Sequence, residues 1–141
     1  MNHKVFHTLE YYKILDQLEQ YAAGEDAKKR IRKMKPLTDL DKINYLQQTT
    51  ADALSRLYQG RNISFVGIHN LNASLKRLEI GSSLNTIELL QVSSLLEVAK
   101  RAKAYNRTER NEELEDSLTP LFAELAPLTP LHEEIKRSIL G

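Results

Sequence analysis

The 141 residues contain no cysteine, which removes disulfides, thiolate chemistry and cysteine zinc sites together and fits a reducing cytosol. Glycine is sparse and scattered. The five glycines, Gly24, Gly60, Gly67, Gly81 and Gly141, never cluster and are never followed by Lys and Ser or Thr, so there is no phosphate loop to which nucleotide hydrolysis can be assigned. No stretch approaches the ~20 apolar residues of a membrane span, and the charged start MNHKVFHTLEYYK lacks the apolar run of a signal peptide. An excess of one charge is missing too: 20 Lys and Arg against 19 Asp and Glu leave +1, so partner choice must be local. These absences lead to the expectation of a soluble, cytoplasmic protein with no membrane partner. By length it is a single domain over 1–141, able to bury roughly two-thirds of its unfolded surface.

What is present is helical periodicity. Leu9, Ile14, Leu15, Leu18 and Tyr21 predict an amphipathic helix over 9–22, opened by Thr8 as cap. A short helix over 25–34 turns Ala27, Ile31 and Met34 inward and ends before Pro36, because the residue before a proline is pushed out of the α region. Thr38, Asp39 and Asp41 then start a long helix, whose stripe of Leu40, Ile43, Leu46, Thr50, Ala53, Leu54 and Leu57 runs to Gly60. Residues 61–67, RNISFVG, alternate weakly without a partner strand and are taken as an apolar connecting loop.

The most informative stretch is LKRLEIGSSLNTIELL at 75–90. Gly81 can take the left-handed conformation that ends one helix, from about 69 to 80, while Asn85 with Glu88 forms a capping box for the next, from 86 to about 106. After a charged joint at 107–113, Thr119 before Pro120 and Thr129 before Pro130 each place a capping hydroxyl beside a proline at the first helical position, predicting two more helices. The fold class is all-α, a bundle of about six or seven helices.

Sites of chemistry are few. His3 and His7 are four apart, but zinc needs further ligands and only Glu10 is near, so no metal site is assigned. His69 and His132 stand alone, which points to surface or cap-adjacent roles. Glu109, Glu112, Glu113, Glu115 and Asp116 form an acidic run with no apolar pocket to raise a pKa, and read as a solvated loop. The six tyrosines read as core and rim residues, and no catalytic or cofactor-binding residue is assigned. The densest charge is KKRIRKMK, where Lys28, Lys29, Arg30, Arg32, Lys33 and Lys35 surround Ile31 and Met34. The plain reading is a solvated helix back. The functional one is a nucleic-acid contact through Lys28, Lys29, Arg32, Lys33 and Lys35, which would grip phosphates without reading sequence. Lys100, Arg101, Lys103, Arg107 and Arg110 offer a second basic run.

Three stretches taken in order resemble the extreme N-terminal region of the bacterial second-paralogue family of MutS ATPases. They are TLEYYKILDQLEQYA at 8–22 with KPLTDL at 35–40, then VGIHNLNASLKRLEIGSSLNTIELLQVSSLL at 66–96, and LAPLTPLHEEIKRSIL at 125–140. The resemblance covers nearly the whole chain except 103–118. It implies the start of a MutS core and lever domain, in a longer protein that carries a dimeric ATPase and a C-terminal small MutS-related nuclease domain. It further implies DNA and ribosomes as partners, in recombination restraint and ribosome quality control, and a homodimer. ATP and Mg are implied for the full-length protein, an ATP-dependent endonuclease and ribosome-splitting ATPase, while this segment carries none of the residues for that chemistry. The expectation is thus an excised, non-catalytic core or lever module, coupling the ATPase to nucleic-acid or ribosome engagement. Its uncovered apolar residues should lie on the 86–106 helix or the last helix and promote self-association. The alternative is a free-standing helical module that binds a protein partner or nucleic acid.

Overall fold

The computed structural model describes residues 3–8, 10–108, 110 and 112–140, apart from the side chains at 6, 8 and 140. Leu9, Glu109, Gly141 and the capping side chain of Thr8 therefore lie outside the described residues. Eight helices are present among them: α1 (His3–Thr8), α2 (Tyr11–Glu19), α3 (Glu25–Arg32), α4 (Leu40–Tyr58), α5 (Asn72–Glu79), α6 (Thr86–Tyr105), α7 (Thr119–Ala123) and α8 (Thr129–Leu140). No strand forms in the described residues beyond one isolated antiparallel bridge between Arg107 and Glu113. The all-α expectation therefore holds, with the apolar segment 61–67 a connection outside any helix or strand.

The joint between α5 and α6 is built as its residues require. Gly81 adopts φ +88, a conformation that costs a residue with a Cβ about 1–2 kcal/mol. Asn85 accepts from the Glu88 amide at 2.9 Å while Glu88 accepts from the Asn85 amide at 3.2 Å, closing the capping box. At α4 the capping residue is Asp39, which accepts from the amides of Asp41 and Lys42 at 3.0 and 3.2 Å.

Three local expectations are corrected. The helix expected over 9–22 with Thr8 as its cap is shorter: Thr8 ends α1, and α2 runs from Tyr11 to Glu19, entered through Glu10 at φ 55, a left-handed turn that periodicity does not reveal. The hydroxyl of Thr119 does not cap α7. It donates to the Leu114 carbonyl and accepts from the Asp116 amide at 3.0 Å, and Leu118 holds the capping position without a side-chain bond. The third correction concerns where apolar surface is left open. The greatest exposure falls on α4, where Leu40, Leu46, Leu54 and Leu57 are about half exposed or more, and less of it on α6 and α8, at Ile87, Leu90 and Leu131.

Packing explains this. The helix pairs in substantial contact are α1 with α2, α2 with α3, and α6 with both α7 and α8. Leu96, Val98 and Ala102 of α6 and Ile135 of α8 are buried, with Leu71 and Leu15 completing the buried apolar set. Among the described residues none of these pairs includes α4, and most of its leucine stripe stands exposed.

Candidate functional site

The basic residues of α3 and of the segment after it face solvent, although Ala27 and Met34, expected to turn inward, are exposed as well. Lys29, Arg30, Arg32, Lys33 and Lys35 are exposed and Lys28 is half-buried. Two of the expected contact residues are already engaged: Arg32 pairs with Glu19 at 2.7 Å, and Lys28 lies 4.0 Å from Glu25. Lys29, Lys33 and Lys35 have no acidic partner among the described residues. Such exposed pairs stabilise by at most about 1 kcal/mol, so Arg32 and Lys28 remain available to a phosphate. The second basic run lies on α6 and beyond; α3 packs on α2, and α6 on α7 and α8.

A polar node absent from the sequence reading holds the end of α4. Arg56 sits among the leucines of α4 yet is 2% exposed. Its Nε and Nη2 donate to the two carboxylate oxygens of Asp116 at 2.8 and 2.7 Å, and Nη2 also donates to Asn106 Oδ1 at 2.9 Å. The guanidinium carbon lies 5.4 Å from the ring centre of Tyr105 and 5.2 Å from that of Phe122. Nη1 has no hydrogen-bond partner, so attraction to the ring faces is what offsets its burial. The hydrogen bonds from Arg56 hold the Asp116 carboxyl below the usual carboxylate range. One turn earlier, Asp52 accepts from the Ser117 amide at 2.9 Å and from its hydroxyl, and these bonds lower its pKa in turn. Arg61 donates to the carbonyls of Tyr105, at 2.6 Å, and Arg107, satisfying acceptors that the end of α6 leaves open.

The acidic stretch is therefore only partly a solvated loop: Asp116 is the buried guanidinium's counter-ion, and the chain must bend back sixty residues to make it so. Sequence reasoning missed Arg56, Asp52 and Ser117. The one signal available was an arginine breaking the apolar character of a leucine-rich turn.

Glu88 has a second role beyond its cap. Its Oε2 accepts from the buried Ser74 hydroxyl at 2.5 Å and from Arg77 of α5. The Ser74 bond first, then Arg77 and the Asn85 amide, lower its pKa to about 2. The joint that caps α6 also ties it to α5.

Of the histidines, His3 lies in α1 with Nδ1 2.6 Å from the Tyr12 hydroxyl, and His69 is exposed. His132 departs from the expected surface role: it is 2% exposed, under α6, with Nε2 3.7 Å from a Glu97 carboxylate oxygen. Among the described residues no three His, Asp or Glu side chains come together as a metal site would require. None of the described helices is long and apolar enough to cross a membrane.

These features define a class: an all-α module whose helices are joined by capped corners and one buried ionic node, with a basic helix at one place and an unclothed leucine stripe at another. Comparison with known proteins narrows it. No family model matches the chain. Endonuclease MutS2 of Agathobacter rectalis is 59% identical over 141 residues, covering all of this chain and 18% of the relative. The MutS2 endonucleases of Lachnospira eligens, 43% identical, and Lachnoclostridium phytofermentans, 41% identical, also match the whole chain, over 17% and 18% of their lengths. The chain belongs to the MutS2 family, as an N-terminal region, and spans about 18% of the length of these curated relatives.

Proposed function

We propose that this chain is a non-catalytic core and lever module, which transmits movement from the ATPase of a MutS2 endonuclease to the part of the molecule that engages DNA or the ribosome. In this reading ATP and Mg act elsewhere in the full-length protein, which works as a homodimer. The observation that carries the proposal is the construction of α4. It is a 19-residue helix anchored at its C-terminal end by a polar node, while its leucine stripe has no helix in substantial contact among the described residues. A rigid rod fixed at one end shifts as a unit between discrete arrangements, which suits a lever. Its bare stripe suits docking against polypeptide from the rest of the relatives' length.

Spin labels at Gln47 on α4 and Arg137 on α8 of the full-length protein test this. Their distance distribution should change between the nucleotide-free and ATP-bound states, and an unchanged distribution at saturating ATP and Mg would oppose a lever.

A second reading is supported by the unpaired Lys29, Lys33 and Lys35. Here α3, with Lys28 and Arg32, grips nucleic-acid phosphates. Titration of duplex DNA and of RNA at two salt concentrations should give affinity that falls steeply with salt, each neutralised phosphate contact adding to the slope. Absence of binding at low ionic strength would remove it.

A further inference from the structure

We propose that the cleft between α6 and α8 binds a phosphate group, held by Arg101, Lys136 and His132. The cleft has a volume of about 340 Å³, at the small end of ligand-site sizes. Its polar lining consists of Ser93, Ser94, Glu97 and Arg101 from α6 and His132 and Lys136 from α8. Positions 93, 94, 97 and 101 recur at helical spacing on one face, as do 132 and 136, and the two helices pack against each other. This convergence is therefore fixed by the core and not by a loop.

Three features point to an anion. The side chain of His132 is 3% exposed and lines this cleft, with only a loose 3.7 Å contact from Nε2 to a Glu97 carboxylate oxygen. An imidazole in the cleft lining supplies an N–H donor to an anion. Arg101 is exposed at the rim and has no acidic partner, and Lys136 has only the loose i,i+3 contact to Glu133 at 3.8 Å. Two permanent cations thus face one carboxylate. Arg101 offers the planar fork that matches phosphate oxygens, Lys136 a mobile point charge, and the Ser93 and Ser94 hydroxyls further donors. Val66 and Gly67, the latter at φ +101, add an apolar edge to the lining. The proposal does not depend on α3 touching nucleic acid.

The test is a two-dimensional NMR titration of the chain with inorganic phosphate and, separately, with a thymidine dinucleotide, against chloride at equal ionic strength. Saturable shifts of the His132 ring and the Arg101 Nε–H are expected. Affinity should weaken about tenfold in Arg101→Gln and in Lys136→Gln, with Lys33→Gln unchanged. Shifts with both probes mark a site for a nucleic-acid backbone, and shifts with inorganic phosphate alone mark one for a free anion. Lys136 lies at the surface, so its variant keeps the test valid if changes nearer the core unfold the chain. No saturable shift with either probe, or equal shifts in the parent and both cleft variants, would overturn the proposal.

Discussion

At the scale of single residues, the energetics concentrate where charge is withdrawn from water. Arg56 is the extreme case, because its side chain is 2% exposed while Asp116 keeps 20%. Removing the carboxylate strands a buried cation, whereas replacing the cation with an apolar side chain leaves a carboxylate that water can reach. Asp116→Asn should therefore cost about 3 kcal/mol or more, and Arg56→Met clearly less, in urea unfolding. The reverse order would show that the ionic node does not hold α4. Glu88 supplies the pH dependence. Its folded pKa lies below the unfolded value, so its contribution is present above 4.5 and is lost as pH falls toward about 2. Acid melting curves should decline across that window, and Glu88→Gln should flatten the decline while lowering stability at neutral pH.

At the scale of elements, much was legible and one thing was not. Residues 75–90 announced both ends of a joint, because φ-tolerant Gly81 and the Asn85–Glu88 pair act through neighbours only a few positions away. Periodicity likewise marked α4, α6 and α8 as amphipathic. It could not tell which apolar face finds a partner, since covering a face depends on chain folded from elsewhere. The α4 stripe stands open, whereas Arg56, which no sequence pattern singled out, and His132, expected in a surface or cap-adjacent role, are buried. The basic residues of α3 were legible because exposure follows from charge density; the node at Asp116 was not, since its partner lies sixty positions away. Substitution tests the distinction between the two kinds of stripe. Leu46→Glu and Leu54→Lys should change the stability of this chain by less than about 0.5 kcal/mol, whereas Leu96→Ala, in the α6–α8 seam, should cost about 2–5 kcal/mol. A heavy loss from the α4 changes would mean that the stripe is covered after all.

At the scale of the whole molecule, a helical unit emerges in which apolar packing and polar anchoring are divided between different elements. The α6–α8 pair carries the buried Leu96, Val98, Ala102 and Ile135, whereas α4 is secured through Arg56, Asp52 and Arg61. That division leaves one long helix with a face to offer, in a chain that matches relatives more than five times its length. The most direct measurement is the thiol-labelling rate of single cysteines at Leu46 and Leu54, compared between this chain and the same segment heading the full-length MutS2 of Agathobacter rectalis. The chain contains no cysteine of its own, so its background is clean. Docking of α4 against the rest of the polypeptide predicts labelling slowed about tenfold or more in the longer protein; equal rates in the two would contradict it.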